Sequence, residues 1–133
     1  MYQKDFILRE IEKISIMLQY LIGKVIPSKT IQEQQTTEEL INKELQEQYG
    51  NDLNFILNVN VTDFDCVFSK NNGFTFNNIE LLADLLFTLG NNEYSKNMNY
   101  LQRAFELYTY VAIKSKTFSF ERANKINTLK TLL

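Results

Sequence analysis

The fold is decided by residues 79–90, IELLADLLFTLG, and residues 98–113, MNYLQRAFELYTYVAI. In both stretches apolar residues return every three or four positions, which is the spacing of one face of an α-helix. These positions are Ile79, Leu82, Leu86 and Leu89 in the first stretch and Met98, Leu101, Phe105, Tyr108 and Ala112 in the second. Gly90 is suited to end the first helix. The two stretches therefore predict an antiparallel helical hairpin.

A third helix is predicted behind this hairpin. Residues 119–133 keep the same period with Ala123, Ile126, Leu129 and Leu133. Ser119 is a suitable N-cap, because its hydroxyl oxygen can accept a free backbone N–H of the first turn. The lysines of the preceding segment, 114–117, suit the negative end of the helix before it. Residues 78–133 are thus expected to form the hairpin and a final helix.

The N-terminal segment, residues 1–27, predicts a long amphipathic helix from about Lys4 to Ile26. Apolar residues at alternating spacings of four and three form a heptad seam. The seam residues are Ile7, Ile11, Ile14, Leu18, Leu21 and Val25. Pro27 cannot continue the helix. We expect this seam to pack on the C-terminal hairpin or to mediate self-association with a second copy in a homodimer.

Residues 28–77 read as a linker and short helices. A helix is predicted to begin at Thr36, where Glu39 completes a capping box, and to end at Gly50. Residues 52–70 alternate apolar and polar positions, as a strand does, but they also fit two short helices. We favour helices, because a lone strand would leave backbone groups unpaired. Later N-caps are expected at Thr62 and at Asn77 or Asn78.

Length and composition favour one soluble helical domain over residues 1–133. The chain is 44% hydrophobic and 23% charged, with a net charge of −2, which is ordinary for a globular protein. The apolar run at residues 14–26 is interrupted by Gln19 and Lys24 and is shorter than a membrane span of about 20 residues. No signal-peptide pattern is present. We expect an all-α bundle of five or six helices in the cytoplasm, with no membrane partner.

Charge is distributed unevenly along the chain. Residues 28–93 carry eleven acidic and three basic residues, whereas residues 94–133 carry seven basic and two acidic residues. A basic C-terminal third is one way to bind nucleic acid. The bases are scattered, however, so we favour the interpretation that the two segments attract each other within a chain or across a dimer.

The residue types present argue against an enzyme. There is no histidine and only one cysteine, Cys66, which removes the usual nucleophilic pairs and the usual zinc sites. The carboxylate pair Glu80 and Asp84, four residues apart, leaves open a Mg²⁺-dependent reaction, but a solvated helix face is the favoured interpretation. Cys66 lies between phenylalanines and is expected to be a small core residue. We expect no cofactor and no bound metal.

Residues 79–107 resemble a single tetratricopeptide repeat. The matching positions are Ile79, Leu82, Ala83 and Leu86 in the first helix, Gly90 in the turn, and Leu101, Ala104 and Leu107 in the second helix. The opening YQKDFILREIEKI and the late KTFSFERANKI are similar to an uncharacterised family of small bacterial helical proteins with a tetratricopeptide-like C-terminal half. That family brings no established activity, but tetratricopeptide units generally bind peptides or proteins.

The resemblance therefore implies a non-catalytic protein–protein interaction module or a self-associating scaffold. A groove is expected between the helices of the hairpin. Its candidate binding residues, chosen as the polar positions there, are Glu80, Asp84, Tyr100, Arg103 and Tyr110. Tyr100 and Tyr110 are expected to expose an edge, because they lie off the apolar stripe. The expected partner is a protein or peptide segment, or a second copy of the chain.

Overall fold

Helices make up 77% of the chain, and the described part contains no strands. The structure, a computed structural model, describes residues 2–133, with side chains from Lys4 onward. Met1, part of the predicted domain, lies outside the described residues. The elements are α1 (Tyr2–Lys24), α2 (Ile31–Gln48), α3 (Leu53–Asn58), a 3₁₀ turn (Val61–Asp63), α4 (Phe64–Ser69), α5 (Phe76–Gly90), α6 (Met98–Ser115) and α7 (Phe120–Leu132). The all-α prediction is confirmed, with seven α-helices in residues 2–133 instead of five or six.

The start of α2 was predicted too late. Its N-cap is Thr30, whose hydroxyl oxygen accepts the backbone N–H of Glu33 at 3.1 Å. The Glu33 carboxylate reaches back to the N–H of Lys29 at 2.9 Å. Thr36 instead lies inside the helix and donates its hydroxyl to the carbonyl of Gln32. The cap at Thr30 extends the helix by nearly two turns beyond a start at Thr36, and those turns add backbone hydrogen bonds.

Residues 52–70 are helical, as favoured, but their caps differ from those expected. Asp52 caps α3, with its carboxylate accepting the N–H of Phe55 at 3.0 Å. Thr62 does not cap α4, whose N-cap is Asp63 without a side-chain hydrogen bond. Thr62 instead lies in the preceding 3₁₀ turn and donates its N–H and its hydroxyl to the side chain of Asn60, the cap of that turn. The expectation that this segment buries Cys66 was wrong, since Cys66 is exposed.

α5 is capped by Thr75, and neither Asn77 nor Asn78 has this role. The Asn78 side chain is buried and donates to two carbonyls, Ile11 O at 3.0 Å and Gly73 O at 2.6 Å. These bonds tie the start of α5 to α1 and to the preceding turn. A tertiary contact across the chain has therefore taken the asparagine away from local capping.

The core is built around α5. Its buried residues pack against α1 on one side and against α6, which runs antiparallel after the seven-residue connection 91–97, on the other. The fully buried members include Ile14, Leu18 and Leu21 of α1, Leu82, Leu85 and Leu86 of α5, and Leu101 and Tyr108 of α6. Each such aliphatic side chain contributes about 1.5–3 kcal/mol by leaving water. The position of α5 is consequently fixed by its contacts with α1 and with α6.

The predicted heptad seam lies largely within this core. Ile14, Leu18 and Leu21 are fully buried, Ile11 and Val25 are half-buried, and Ile7 is 37% exposed. The Ile11 carbonyl accepts from Asn78, near the start of α5. The residues of α1 before Ile11 therefore extend beyond that end of α5. Most of the seam thus packs within one chain, and self-association through α1 stays a prediction.

Two glycines lie at close contacts between elements. A Cβ atom at Gly73 would lie 2.6 Å from Ile14 Cγ1 and 2.8 Å from Glu10 O, so the turn before α5 rests directly on α1. A Cβ atom at Gly90 would lie 2.9 Å from both Asn97 O and Leu101 Cγ. Only a residue without a side chain allows these approaches.

Candidate binding site

The five predicted binding residues do not line one groove. Glu80 and Asp84 face α7, and Tyr100 faces Glu38 of α2. The Arg103 side chain lies against the end of α3, and Tyr110 reaches α4. This dispersal follows from the central position of the hairpin, because α5 and α6 pack directly on each other and turn their other faces toward different helices.

Glu80 and Asp84 are joined to α7 by ion pairs. Arg122 Nη1 lies 2.8 Å from Glu80 Oε1, and Lys125 Nζ lies 2.7 Å from Asp84 Oδ1. The Arg122 side chain is only 6% exposed, and its Nη2 also donates to the carbonyl of Thr117. Both carboxylates therefore already have charged partners, and among the described residues no three acidic or cysteine side chains converge as metal ligands.

Tyr108 belongs to the same cluster. Its phenol is fully buried and donates a hydrogen bond to Asp84 Oδ1. Burial raises the pKa of Tyr108 well above its ordinary value, and the nearby Asp84 carboxylate raises it further. A phenol with a raised pKa stays protonated, so this group acts as a hydrogen-bond donor that links α5 and α6.

Arg103 is buried, with 8% of its surface exposed. Its Nη2 donates to two main-chain carbonyls, Leu57 O at 2.9 Å and Val59 O at 2.5 Å, where α3 ends. Its guanidinium carbon also lies 5.1 Å from the centre of the Phe64 ring. A cation is favourable at this negative end of a helix, so Arg103 fastens the 57–64 segment to α6.

Tyr110 is half-buried and donates its phenol to Asp65 Oδ1 at 2.6 Å. This hydrogen bond, followed by the contact with Lys114 at 3.2 Å, lowers the pKa of Asp65. Burial and then the bond to Asp65 raise the pKa of Tyr110 to about 12. Tyr100, in contrast, is 5% exposed, so the expectation that its edge would face solvent was wrong.

The uneven charge along the chain is largely matched within the fold. Three ion pairs join the basic segment 94–133 to the acidic segment 28–93: Lys114–Asp65, Arg122–Glu80 and Lys125–Asp84. On the described part of the chain, three bases of the basic segment have no carboxylate within 4.0 Å. They are Lys96, Lys116 and Lys130.

A cleft of about 370 Å³ opens where the segment after α1, the N-terminal half of α2 and the end of α5 meet. We call it the α2–α5 cleft. Its apolar wall is formed by Val25, Ile26, Pro27, Phe87 and Leu89. Ile26 is 62% exposed, which leaves apolar surface at the mouth. A concave site with an apolar wall and a few polar groups is the usual form of a binding site.

The α2–α5 cleft is also lined by polar residues. They are Gln34, Thr37 and Glu38 of α2, and Asn91, Asn92 and Glu93, which follow α5. The half-buried Glu38 carboxylate accepts Gln34 Nε2 at 3.1 Å. Glu38 also faces the phenol of Tyr100, whose pKa is raised by burial first and by the charge of Glu38 second. Within residues 2–133, no lysine or arginine nitrogen lies within 4.0 Å of Glu38 or Glu93.

A second, shallower groove lies between the 61–65 segment and α6. Its volume is about 330 Å³, and we call it the α4–α6 groove. It contains Val61, Phe105 and the 65% exposed Ile113, beside the Asp65–Tyr110–Lys114 contacts. Its charged groups each have a partner, Lys114 with Asp65 and Glu106 with Arg103, which distinguishes the groove from the α2–α5 cleft.

Sequence reasoning missed Glu38 and its cleft. The helix that carries Glu38 was placed to begin only two residues before it, so the face that turns inward could not be assigned. With the start at Ile31, Gln34, Glu38 and Ile41 fall on one side of α2 at spacings of four and three. The signal in the sequence was Glu38 placed three residues before Ile41, a core residue on the same side of the helix.

Comparisons with protein-family models, with curated proteins and with solved structures find no match for this chain. The resemblance to a family of small bacterial helical proteins accordingly stays a prediction from the sequence. No helix of the described residues is long and apolar enough to cross a membrane.

Proposed function

We propose that this protein is a non-catalytic interaction module that binds a segment of a partner protein in the α2–α5 cleft. The observation that carries the proposal is a cleft of about 370 Å³ that is lined both by apolar side chains and by a half-buried carboxylate, Glu38, with no cationic partner on the described chain. Other charge clusters of the fold are paired internally. In the α2–α5 cleft the Glu38 carboxylate has no cation beside it, and the proposed partner segment supplies one.

The tetratricopeptide-like character of α5 and α6 is part of this proposal. The two helices are antiparallel and in close contact, and the small residues Ala83 and Ala104 are both fully buried where they meet. Small residues at such positions let the helices of a repeat approach closely. The proposed binding surface differs from the groove that the sequence predicts, because it lies at the end of α5 and not along the hairpin.

The proposal is tested by selecting random peptides on phage against the purified protein. Thr37→Trp places a large ring in the cleft, and Thr36→Trp places the same ring on the exposed side of α2. We expect selected peptides to bind at least about tenfold more weakly to the first variant and equally well to the second. Peptides that bind both variants like the parent protein would contradict the proposed site.

Self-association is a second candidate, favoured by the outer face of α1. Phe6, Leu8, Ile16 and Tyr20 are 47–59% exposed there, and exposed apolar side chains of this kind often mark an interface. Sedimentation velocity over a range of concentrations tests it. A dimer that becomes a folded monomer in Leu8→Glu/Ile16→Glu would support this candidate, while a parent protein that is monomeric throughout would dismiss it.

Nucleic-acid binding and carboxylate catalysis have less support from the contacts. For nucleic-acid binding, three of the seven bases in residues 94–133 are used in ion pairs with the acidic segment. For a carboxylate enzyme, Asp84 already accepts from Tyr108 and Lys125, and Glu80 is paired with Arg122. Carboxylates that are paired in this way stabilise the fold.

A further inference from the structure

We infer that the α2–α5 cleft recognises a lysine or arginine side chain of the partner segment, flanked by an apolar residue. This inference rests on the proposed function and adds the chemistry of the ligand. It begins from Glu38, whose carboxylate is half-buried on the wall of the cleft. A carboxylate removed from bulk water gains most from a cation that approaches it directly.

The neighbours of Glu38 leave its charge uncompensated. Gln34 and Tyr100 are neutral donors that hold the carboxylate in place. Lysines in the flanking segments contact other groups: the Lys24 and Lys29 ammoniums lie 5.4 and 5.5 Å from the centres of the Tyr20 and Tyr94 rings, and the Lys96 ammonium donates to Asn91 Oδ1 at 2.6 Å. The Glu38 carboxylate is therefore held by neutral donors and has no cation within 4.0 Å on the described chain.

The wider surroundings of the cleft are negative as well. α2 carries Glu33, Glu38, Glu39, Glu44 and Glu47 against a single base, Lys43. α5 ends at the cleft without a basic residue in its last turn. Glu93 adds a second carboxylate at the rim. The acidic excess of α2 and the two carboxylates that line the cleft, Glu38 and Glu93, thus favour a cationic ligand.

The apolar wall indicates that the cation belongs to a polypeptide. Phe87 and Leu89 line the cleft beside the exposed Ile26. The methylene stem of a lysine or arginine packs well on such surface while its charged end reaches a carboxylate. A neighbouring leucine or valine of the same segment would cover the exposed Ile26. A small free polyamine would leave Ile26 exposed to water.

The test uses the full chain and four short acetylated, amidated peptides that differ at one central residue between two leucines. That residue is arginine, lysine, norleucine or glutamate. Binding is followed by two-dimensional amide NMR, and spermidine is titrated separately. We expect the arginine and lysine peptides to shift amides lining the cleft and to bind about tenfold more tightly than the norleucine peptide.

The matched variants are Glu38→Gln, which keeps the shape and removes the charge, and Glu47→Gln, which removes an exposed charge from the same helix. We expect the preference for the basic peptides to fall below about twofold in the first and to persist in the second. Thermal unfolding of each variant confirms that it is folded. Glu93→Gln provides a second variant at the rim, with a smaller expected loss of preference.

Each failure has a distinct meaning. Equal binding of the norleucine and arginine peptides in the cleft would overturn this inference and leave the proposed function intact. If no peptide shifts the amides of the cleft, both the inference and the proposed site are wrong. If spermidine shifts the same amides as strongly as the peptides, the cleft binds a free polyamine and the polypeptide ligand is rejected.

Discussion

The α5–α7 side of the molecule and the α2 side treat their carboxylates in opposite ways. On the α5–α7 side Glu80 and Asp84 are each within 2.8 Å of a cation and lie against a buried arginine or tyrosine. On the α2 side Glu38 faces a cleft with only neutral donors beside it. The comparison shows that the fold pairs the carboxylates of α5 with cations of α7 and leaves Glu38 without a cation; under the proposed function a partner supplies that cation.

The largest effect is expected from placing a carboxylate without a partner in the core, which tests whether buried charges in this fold must be paired. Leu18 is fully buried in the core, so Leu18→Glu should unfold the chain, at a cost above about 4 kcal/mol. Ile16→Glu on the same helix is the control, because Ile16 is 59% exposed. Circular dichroism separates the two outcomes, and a folded, monomeric Leu18→Glu variant would mean that the α1 seam is an interface and not core.

The next largest effect is expected from removing one half of a paired charge. Arg122→Met leaves Glu80 and the Thr117 carbonyl without their donor, and we expect a loss of about 3 kcal/mol in the free energy of unfolding. Urea denaturation measures this loss. Lys130→Met, at an exposed site on α7, should change stability by less than about 0.5 kcal/mol. Equal losses in both variants would remove the distinction between the two classes of charge.

Tyr108 sharpens the comparison through pH. Tyr108→Phe loses the bond to Asp84, for which we expect about 2 kcal/mol at neutral pH. Because the folded pKa of this phenol is raised above its ordinary 10.0, its stabilising contribution is complete below that value and is lost as pH rises through the folded pKa. The parent protein should thus lose more stability above pH 10 than the phenylalanine variant does; parallel curves would show that Tyr108 does not titrate on unfolding.

The smallest effect is expected on α2. Glu39 and Glu47 are exposed and have no ion pair within the described residues. The double variant Glu39→Gln/Glu47→Gln should therefore unfold within about 0.5 kcal/mol of the parent protein. Urea denaturation at low and high salt is the measurement. A clear loss of stability would show that the charge of α2 is needed for folding and is not reserved for a partner.

The sequence was sufficient for the helices with strong periodicity. The positions of α1, α5, α6 and α7 follow from apolar residues three and four apart, and Ser119 is the N-cap of α7 as expected. The ambiguous 52–70 segment is helical, because its short helices bury Leu53, Ile56, Phe64 and Phe68 against the rest of the core. Local patterns were reliable where the same residues also serve the core.

The caps and the site depended on contacts between distant residues. Thr75, Asn77 and Asn78 are all acceptable caps for α5, and the choice was made by the bond from Asn78 to the carbonyl of Ile11. The α2–α5 cleft likewise arises where three helices meet, so no single stretch of sequence contains it. Glu80 and Asp84 were predicted as groove residues or as part of a solvated helix face, and their ion pairs could not be predicted, because the partners Arg122 and Lys125 are 42 and 41 residues away along the chain.

The close approach at Gly73 has a consequence for recognising relatives of this protein. A methyl group there would have to displace Ile14 or the backbone of Glu10, so any chain that keeps this packing should keep glycine at this position. Asn78, which bonds to both Ile11 and Gly73, is constrained with it. The glutamates of α2 face no such restriction from the fold. Sequences that share the glycine and the asparagine but differ along α2 would then have the same architecture, and under the proposed function they would differ in what the cleft binds.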